Sequence, residues 1–413
     1  MDDRKLIDTP HEIGRAYREV LPLAGGQLVL ARKEHLLSLF APGGDLVHLD
    51  LEGRLHRAWI DGDSYQRGLD GRVRRVAIER GDAFRSLALE ILPDAQAAPL
   101  LERIAGLVRS ASGALPASAS ASLAGPLARA TRWDLARYHD EGERFATIYD
   151  PIPILPPDQN RALVLQLTSG CSWNRCTFCH LYRDATFSLK TPEALRTHVQ
   201  SVLALVGRAL PLRRGLFLGQ ANALVVAAEK LFPLLDVVRE EMERVAAPRA
   251  FATLAAFVDA FSRPKTVEEL RALRERGLTS IALGLESGSA EVLAVLGKPA
   301  EAAAAIALAH TAHEAGISLG IIVLVGAGGK KLAFEHLAAT VETIAAMAPR
   351  RGDRIYLSPL VIHPGSVYEA RSGALEPLSP SELAREAAEF RLRLRSAGVT
   401  APIALYDIRR FIY

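Results

Sequence analysis

The sequence predicts an α/β protein, a partial (β/α)6 barrel preceded by a small, mainly β domain that ends in a helix. Three observations carry this. From Arg161 onward, apolar strands and helical stretches alternate with short loops between them. Ahead of residue 110 the apolar segments are short and separated by Gly-rich turns. A chain of 413 residues, 49% of them apolar, is long enough to bury a large core, as one α/β unit or as two domains.

Taken in order, residues 1–125 are expected to form the β-rich accessory domain. Its strands are read at Gln27–Arg32, Leu36–Phe40, Leu46–Leu51 and Arg57–Ile60, with turns at Gly25-Gly26, Gly43-Gly44, Glu52-Gly53 and Asp61-Gly62. Phe84, Leu87, Leu89, Leu92, Leu100, Ile104 and Leu107 predict helix over Asp82–Arg109, broken near Pro93. Ser110–Gly125, rich in Ala and Ser, reads as a linker or a weakly ordered helix. Residues 126–160 lead into a barrel over 161–372, and 373–413 form a C-terminal helix and tail.

The barrel strands are predicted at Ala162–Thr168, Gly215–Gly219, Ala250–Leu254, Ser280–Leu285, Ser318–Val325 and Arg354–Val361. Helices are expected near Pro192–Val206, Val225–Glu243, Thr266–Arg276, Ala300–Ala315 and Phe334–Met347. Repeated β-then-α units make a parallel sheet with right-handed crossovers, and such a sheet works at the C-terminal ends of its strands.

Composition excludes more than it selects. The longest apolar runs, Ser318–Val325 and Ala302–Ala309, are far short of the roughly 20 residues a membrane span needs. The charged start, Met1 to Leu6, lacks the apolar stretch of a secretory signal, so a cytoplasmic location is expected. A net charge of +3 with scattered arginines gives no support for nucleic-acid binding. The three cysteines all lie in Cys171–Cys179, too close together for a disulfide framework and suited to a metal or redox site.

Those cysteines stand in Gln166-Leu-Thr-Ser-Gly-Cys171-Ser-Trp-Asn-Arg-Cys176-Thr-Phe-Cys179-His180, directly after the first barrel strand. Thiolates are the usual ligands of iron–sulfur clusters, and three of them leave one iron of a 4Fe-4S cube open. A zinc site of the three cysteines with His180 is the competing reading. It would require the adjacent Cys179 and His180 to bind one tetrahedral ion, whereas paired zinc ligands are normally spaced.

The loop resembles the signature of the radical S-adenosylmethionine (SAM) superfamily, whose common spacing is C-x3-C-x2-C with an aromatic before the last cysteine. Phe178 takes that aromatic place; the extra residue between Cys171 and Cys176 departs from the common pattern and resembles a known variant. The resemblance, spanning about residues 150–370, implies a TIM-like radical SAM core holding a 4Fe-4S cluster on Cys171, Cys176 and Cys179. It implies that the cluster binds SAM and cleaves it reductively to a 5′-deoxyadenosyl radical, which takes hydrogen from a substrate. An electron donor such as flavodoxin or ferredoxin is implied as partner.

Later segments extend the resemblance. Leu216-Phe-Leu-Gly219-Gln-Ala-Asn222 is similar to the turn that receives the methionine ammonium, although the usual acid is missing; Gly219 is assigned there, with Asn222 or Gln220 as acceptor. Ile281-Ala-Leu-Gly-Leu-Glu286-Ser287-Gly288 closely resembles the element whose carboxylate takes the ribose hydroxyls, which implies that role for Glu286 with Ser287 beside it, and Glu291, Leu296, Gly297 and Lys298 follow as in that group. Gly320–Gly326 is similar to the strand beside the adenine, with Gly326 allowing close approach. The Gly326–Lys331 run lacks P-loop spacing.

The absence of further cysteines argues against an auxiliary cluster, and residues 1–160 lack the D-x-H-x-x-G pattern of a cobalamin domain. A single-cluster enzyme of unassigned substrate is therefore expected, the alternatives being an RNA- or protein-modifying enzyme of the same kind or a non-catalytic iron–sulfur or zinc module. Tyr182, Tyr356, His363 and Tyr368 are candidate hydrogen or proton donors from their places after strands or the cluster loop. Tyr65, Arg67 and Asp70 form a polar turn that either covers the barrel mouth or simply closes a hairpin.

Overall fold

In the computed structural model the described residues are 17–23, 25–79, 86–245, 248–299 and 301–413. They fall into two compact units, one running to Pro151 with residues 201–213 and Ile412–Tyr413, the other comprising Ile152–Gln200 and Arg214–Phe411.

The first unit is an eight-stranded antiparallel meander in sequence order: β1 (Tyr17–Leu23), β2 (Gly26–Lys33), β3 (Leu36–Phe40), β4 (Leu46–Asp50), β5 (Leu55–Ile60), β6 (Asp63–Arg67), β7 (Val73–Glu79) and β8 (Ser86–Ile91). Alternation sets its buried face. Leu28 and Leu30, Leu37 and Leu39, and Val47 and Leu49 point inward with Ala58 and Ile60, and α1 (Asp94–Ala114) and α2 (Ala121–Ala130) bring Ile104, Val108, Leu123 and Leu127 to the same core. α3 (Leu135–Ile148) starts at Asp134, whose carboxylate accepts the Arg137 amide.

Two sequence expectations change here. The helix expected from residue 82 begins only at Asp94, after Pro93; Leu87 and Leu89 belong to β8, while Phe84 lies outside the described residues. Of the two readings of Ser110–Gly125, helix holds for most of it, and residue 125, where the boundary was placed, lies inside α2.

A buried ion network crosses this unit. The Arg54 guanidinium donates to Asp50 Oδ2 (2.6 Å), Glu141 Oε1 (2.8 Å) and the carbonyls of Leu205 (2.9 Å) and Val206 (2.8 Å). Arg67 donates to the other oxygen of Glu141 at 2.7 Å and lies over the Tyr138 ring. Arg67 is thus a core residue of the first unit, whereas Asp70 holds Arg72 in the following turn.

The second unit is built on a seven-stranded parallel sheet, ordered β17-β16-β15-β14-β13-β12-β9. These strands are β9 (Leu163–Gln166), β12 (Leu216–Gly219), β13 (Leu254–Val258), β14 (Leu278–Glu286), β15 (Ser318–Val325), β16 (Arg354–Pro359) and β17 (Ile403–Leu405). A two-stranded pair, β10 (Thr168–Ser169) and β11 (Ser188–Leu189), brackets the cysteine loop. The connecting helices are α4 (Pro192–Val206), α5 (Ala228–Glu243), α6 (Val267–Glu275), α7 (Ala290–Val295), α8 (Ala302–Glu314), α9 (Ala333–Ala346), α10 (Val367–Ser372) and α11 (Pro380–Ser396). Thr266 with Glu269, and Ser379 with Glu382, form reciprocal capping boxes that fix the starts of α6 and α11.

The sheet curls into an open barrel. One small cavity is lined by Phe217, Ala255, Ile281, Leu319 and Tyr356, from five consecutive strands, and beneath it the Tyr356 hydroxyl donates to Asp158. Two strand assignments are corrected: the third spans Leu254–Val258 because residues 248–251 are a 3-10 turn, and Ile403–Leu405 adds a seventh strand.

Candidate active site

The cysteine loop has almost no regular structure, so its backbone groups must find partners elsewhere. They find them on the turn that ends α7. The Thr177 amide donates to the Leu296 carbonyl at 2.8 Å, its hydroxyl to the Val295 carbonyl at 2.8 Å, and Trp173 Nε1 to the Gly297 carbonyl at 3.0 Å. Tyr368 donates its amide to the Thr177 carbonyl. Asn174, at φ 48°, ties the loop to itself through Tyr182 O at 2.8 Å. Phe178 packs against a cluster of Val292, Leu296, Leu324, Leu360 and Tyr368.

The three thiols are free and partly buried. Burial pushes Cys176 up to about 12 and Cys179 to about 11, the ordinary cost of desolvating a thiolate. Lys298, Glu286 and Asp259 lie close enough to Cys176 to act on it electrostatically.

Those three residues form a network at the C-terminal ends of β13 and β14. Glu286 is buried at φ 61°, and its Oε1 accepts from Lys298 Nζ at 2.9 Å. Lys298 also donates to the Gly284 carbonyl at 2.5 Å and stands 3.7 Å from Asp259. Burial alone would lower the Lys298 pKa, but the two carboxylates outweigh it and hold the ammonium charged. Gly284 is required: a Cβ there would meet Glu286 Oε1 at 2.6 Å and Lys298 Nζ at 2.8 Å. Asn222, only 2% exposed, donates Nδ2 to Asp259 Oδ2 at 2.8 Å, and its Oδ1 is buried without a hydrogen-bond partner.

Of the other expected site residues, Gly219 ends β12, and the Gln220 side chain accepts from the Gly170 amide at 2.5 Å, which occupies it in positioning the cysteine loop. Ser287 is fully buried, with its hydroxyl 2.8 Å from His336 Nδ1; it fixes the turn into α7. Gly326, at φ 89°, packs on Leu383 and donates its amide to Glu386. Burial raises Glu386 to about 7, the Gly326 amide opposing this in part.

Tyr182 is buried behind the loop and is influenced electrostatically by Cys179 and Cys171. His363 lies against His180 with ring centroids 3.7 Å apart and the planes tilted by 55°, and Tyr368 spends its hydroxyl on the Ala327 carbonyl. Tyr356 faces Asp158 at the opposite end of the barrel from the cysteines. Sequence reasoning missed Asp259, the residue after β13, and Tyr406, which follows β17 with a buried hydroxyl that has no partner.

Among the described residues, no three His, Cys, Asp or Glu side chains converge on a point as one metal ion would demand. A 4Fe-4S cube needs no such convergence, since each thiolate binds a different iron. Three free thiols in one loop are the donor chemistry of such a cluster, and the unsatisfied Asn222 Oδ1 and the Glu286 carboxylate fit a ligand rich in hydrogen-bond donors.

Comparison with known proteins agrees with this chemistry. Residues 165–344 match the Radical SAM superfamily, so the chain carries a radical SAM domain over that stretch. The family implies a 4Fe-4S cluster and SAM as cofactors.

Among solved structures, coproporphyrinogen III oxidase from Escherichia coli is similar at 18% identity and TM-score 0.42, over 62% of this chain and 56% of that one. The radical SAM methyltransferase TsrM from Kitasatospora setae is similar at 17% and 0.37, over 50% of this chain and 36% of that one. Methylornithine synthase is similar at 14% and 0.37, over 60% and 72%. The chain thus spans about half the length, or less, of the first two. No curated protein matches it.

Proposed function

We propose that the protein is a single-cluster radical SAM enzyme that cleaves SAM reductively and uses the resulting 5′-deoxyadenosyl radical to take hydrogen from a substrate held in the barrel. Cys171, Cys176 and Cys179 would hold the cluster, which, once reduced by an external one-electron donor such as flavodoxin or ferredoxin, would supply the electron that breaks a carbon–sulfur bond of SAM. Glu286 would take the ribose hydroxyls with the oxygen that Lys298 leaves open, and Asn222 would accept from the amino-acid end.

The observation that carries this reading is the docking of the cysteine loop on Val295, Leu296 and Gly297. It ties the thiols to the segment that bears Lys298, and through it to Glu286. The chain's own residues then bind, orient and exclude water, which protects a reactive radical. Thiolate ligation suits a reducing compartment, consistent with a cytoplasmic location; among the described residues no helix is long and apolar enough to cross a membrane.

Anaerobically reconstituted protein, reduced with dithionite in the presence of SAM, should form 5′-deoxyadenosine. Cys176→Ala should form none and should hold less iron per chain. Zinc in place of iron in oxygen-free material, or full activity in the variant, would overturn the reading.

A further inference from the structure

The turn after β12 has no acid, and the network beside it has one carboxylate too many. Glu286 and Asp259 share the single ammonium of Lys298, so within this hydrogen-bonded group one negative charge is unbalanced. Lys298 gives two of its three donors to the Gly284 carbonyl and Glu286, and its Nζ stands 3.7 Å from Asp259 Oδ1, beyond hydrogen-bond distance. Asp259, its side chain 18% exposed, keeps only part of its solvation, so its surplus charge favours the arrival of a cationic partner.

Asn222 sharpens this. Its Nδ2 faces the Asp259 carboxylate, which can only accept, so the orientation of the amide is fixed and Oδ1 is the free arm. That oxygen is buried in a residue 2% exposed and lacks any donor. One surplus anion and one surplus acceptor, joined by a 2.8 Å hydrogen bond, describe a seat for a cationic hydrogen-bond donor.

We propose that Asp259 is a cofactor-recognition residue: with Asn222 Oδ1 it seats the α-ammonium of SAM and replaces, from the end of β13, the acid missing from the β12 turn. The inference rests on SAM binding as proposed above. It gives Asp259 a role in selecting the amino-acid end of the cofactor, separate from the ribose contact of Glu286.

The test is binding, measured by calorimetry on cluster-loaded protein with two probes, SAM and its analogue lacking the α-amino group. The wild type should prefer SAM. Asp259→Asn should weaken SAM binding by about tenfold to a hundredfold, the usual worth of a charge-assisted hydrogen bond, and leave the analogue unchanged. Asn222→Ala should shift the preference in the same direction, with iron content and far-ultraviolet circular dichroism as checks on folding. Retention of the wild-type preference in both variants would overturn the role of Asp259 alone. Loaded wild type that binds no SAM would overturn this proposal together with the proposed function.

Discussion

Lys298 and Glu286 are joined by a 2.9 Å bond between Nζ and Oε1, and the lysine bonds at the same time to the carbonyl of Gly284, two residues before that glutamate. The strand end is thereby clamped from one side chain, which holds Glu286 in a left-handed backbone conformation that costs a non-glycine residue roughly 1–3 kcal/mol.

Lys298→Met keeps the length of the side chain and removes its charge, leaving two carboxylates without a cation. A loss of about 3–5 kcal/mol is expected, seen as a lower urea midpoint. Adding Glu286→Gln should recover part of it, and a double-mutant cycle would measure the coupling. Strictly additive losses would show that the pair does not act as a unit.

Gly297→Ala tests the dock of the cysteine loop. Gly297 lies at φ 65°, and a Cβ there would sit 3.0 Å from the Arg175 carbonyl and 3.1 Å from Thr177 Cγ2. The substitution should cost about 1–3 kcal/mol and lower the iron retained per chain after desalting. Unchanged iron content would separate the dock from cluster retention.

Glu386→Gln carries a pH signature. Burial raises the folded-state carboxyl to about 7, while the unfolded chain titrates near 4.3, so between these values the folded protein binds the extra proton. Wild-type stability relative to the glutamine variant should fall as pH rises through this window and level off above it, by roughly 2–4 kcal/mol in total. His336, buried and lowered to about 4, contributes with the opposite sign over nearly the same range. The comparison must therefore be between variants, with melting followed at pH 5 and pH 8; a constant difference would contradict the assignment.

Much of the second unit was legible because buried parallel strands are written as unbroken apolar runs, as in Ser318–Val325, and because Cys171, Cys176 and Cys179 have few meanings at that spacing. β17 escaped notice because three residues make no pattern. The third strand was displaced because the apolar character of Ala250 and Phe251 runs on to Val258, and nothing local separates the 3-10 turn from the strand. That displacement also hid Asp259: with the strand ended at Leu254, the carboxylate appeared to stand well past the barrel rim. In the first unit, the alternating Leu87, Leu89 and Ile91 were absorbed into a helix because Asp94–Ala114 follows after only two residues. The Arg54 network was beyond reach, since Glu141, Leu205 and Val206 are far from it in sequence.

Arg54 spreads one planar fork over two carboxylates and two main-chain carbonyls in a side chain almost sealed from water. Lysine carries the same charge but concentrates it at a point and cannot address four acceptors in a plane. Evolutionary drift at this position is thus constrained by shape more than by sign. A relative that lost the guanidinium would have to re-route residues 201–213 or supply new donors for Leu205 and Val206, so the two segments are expected to change together or not at all.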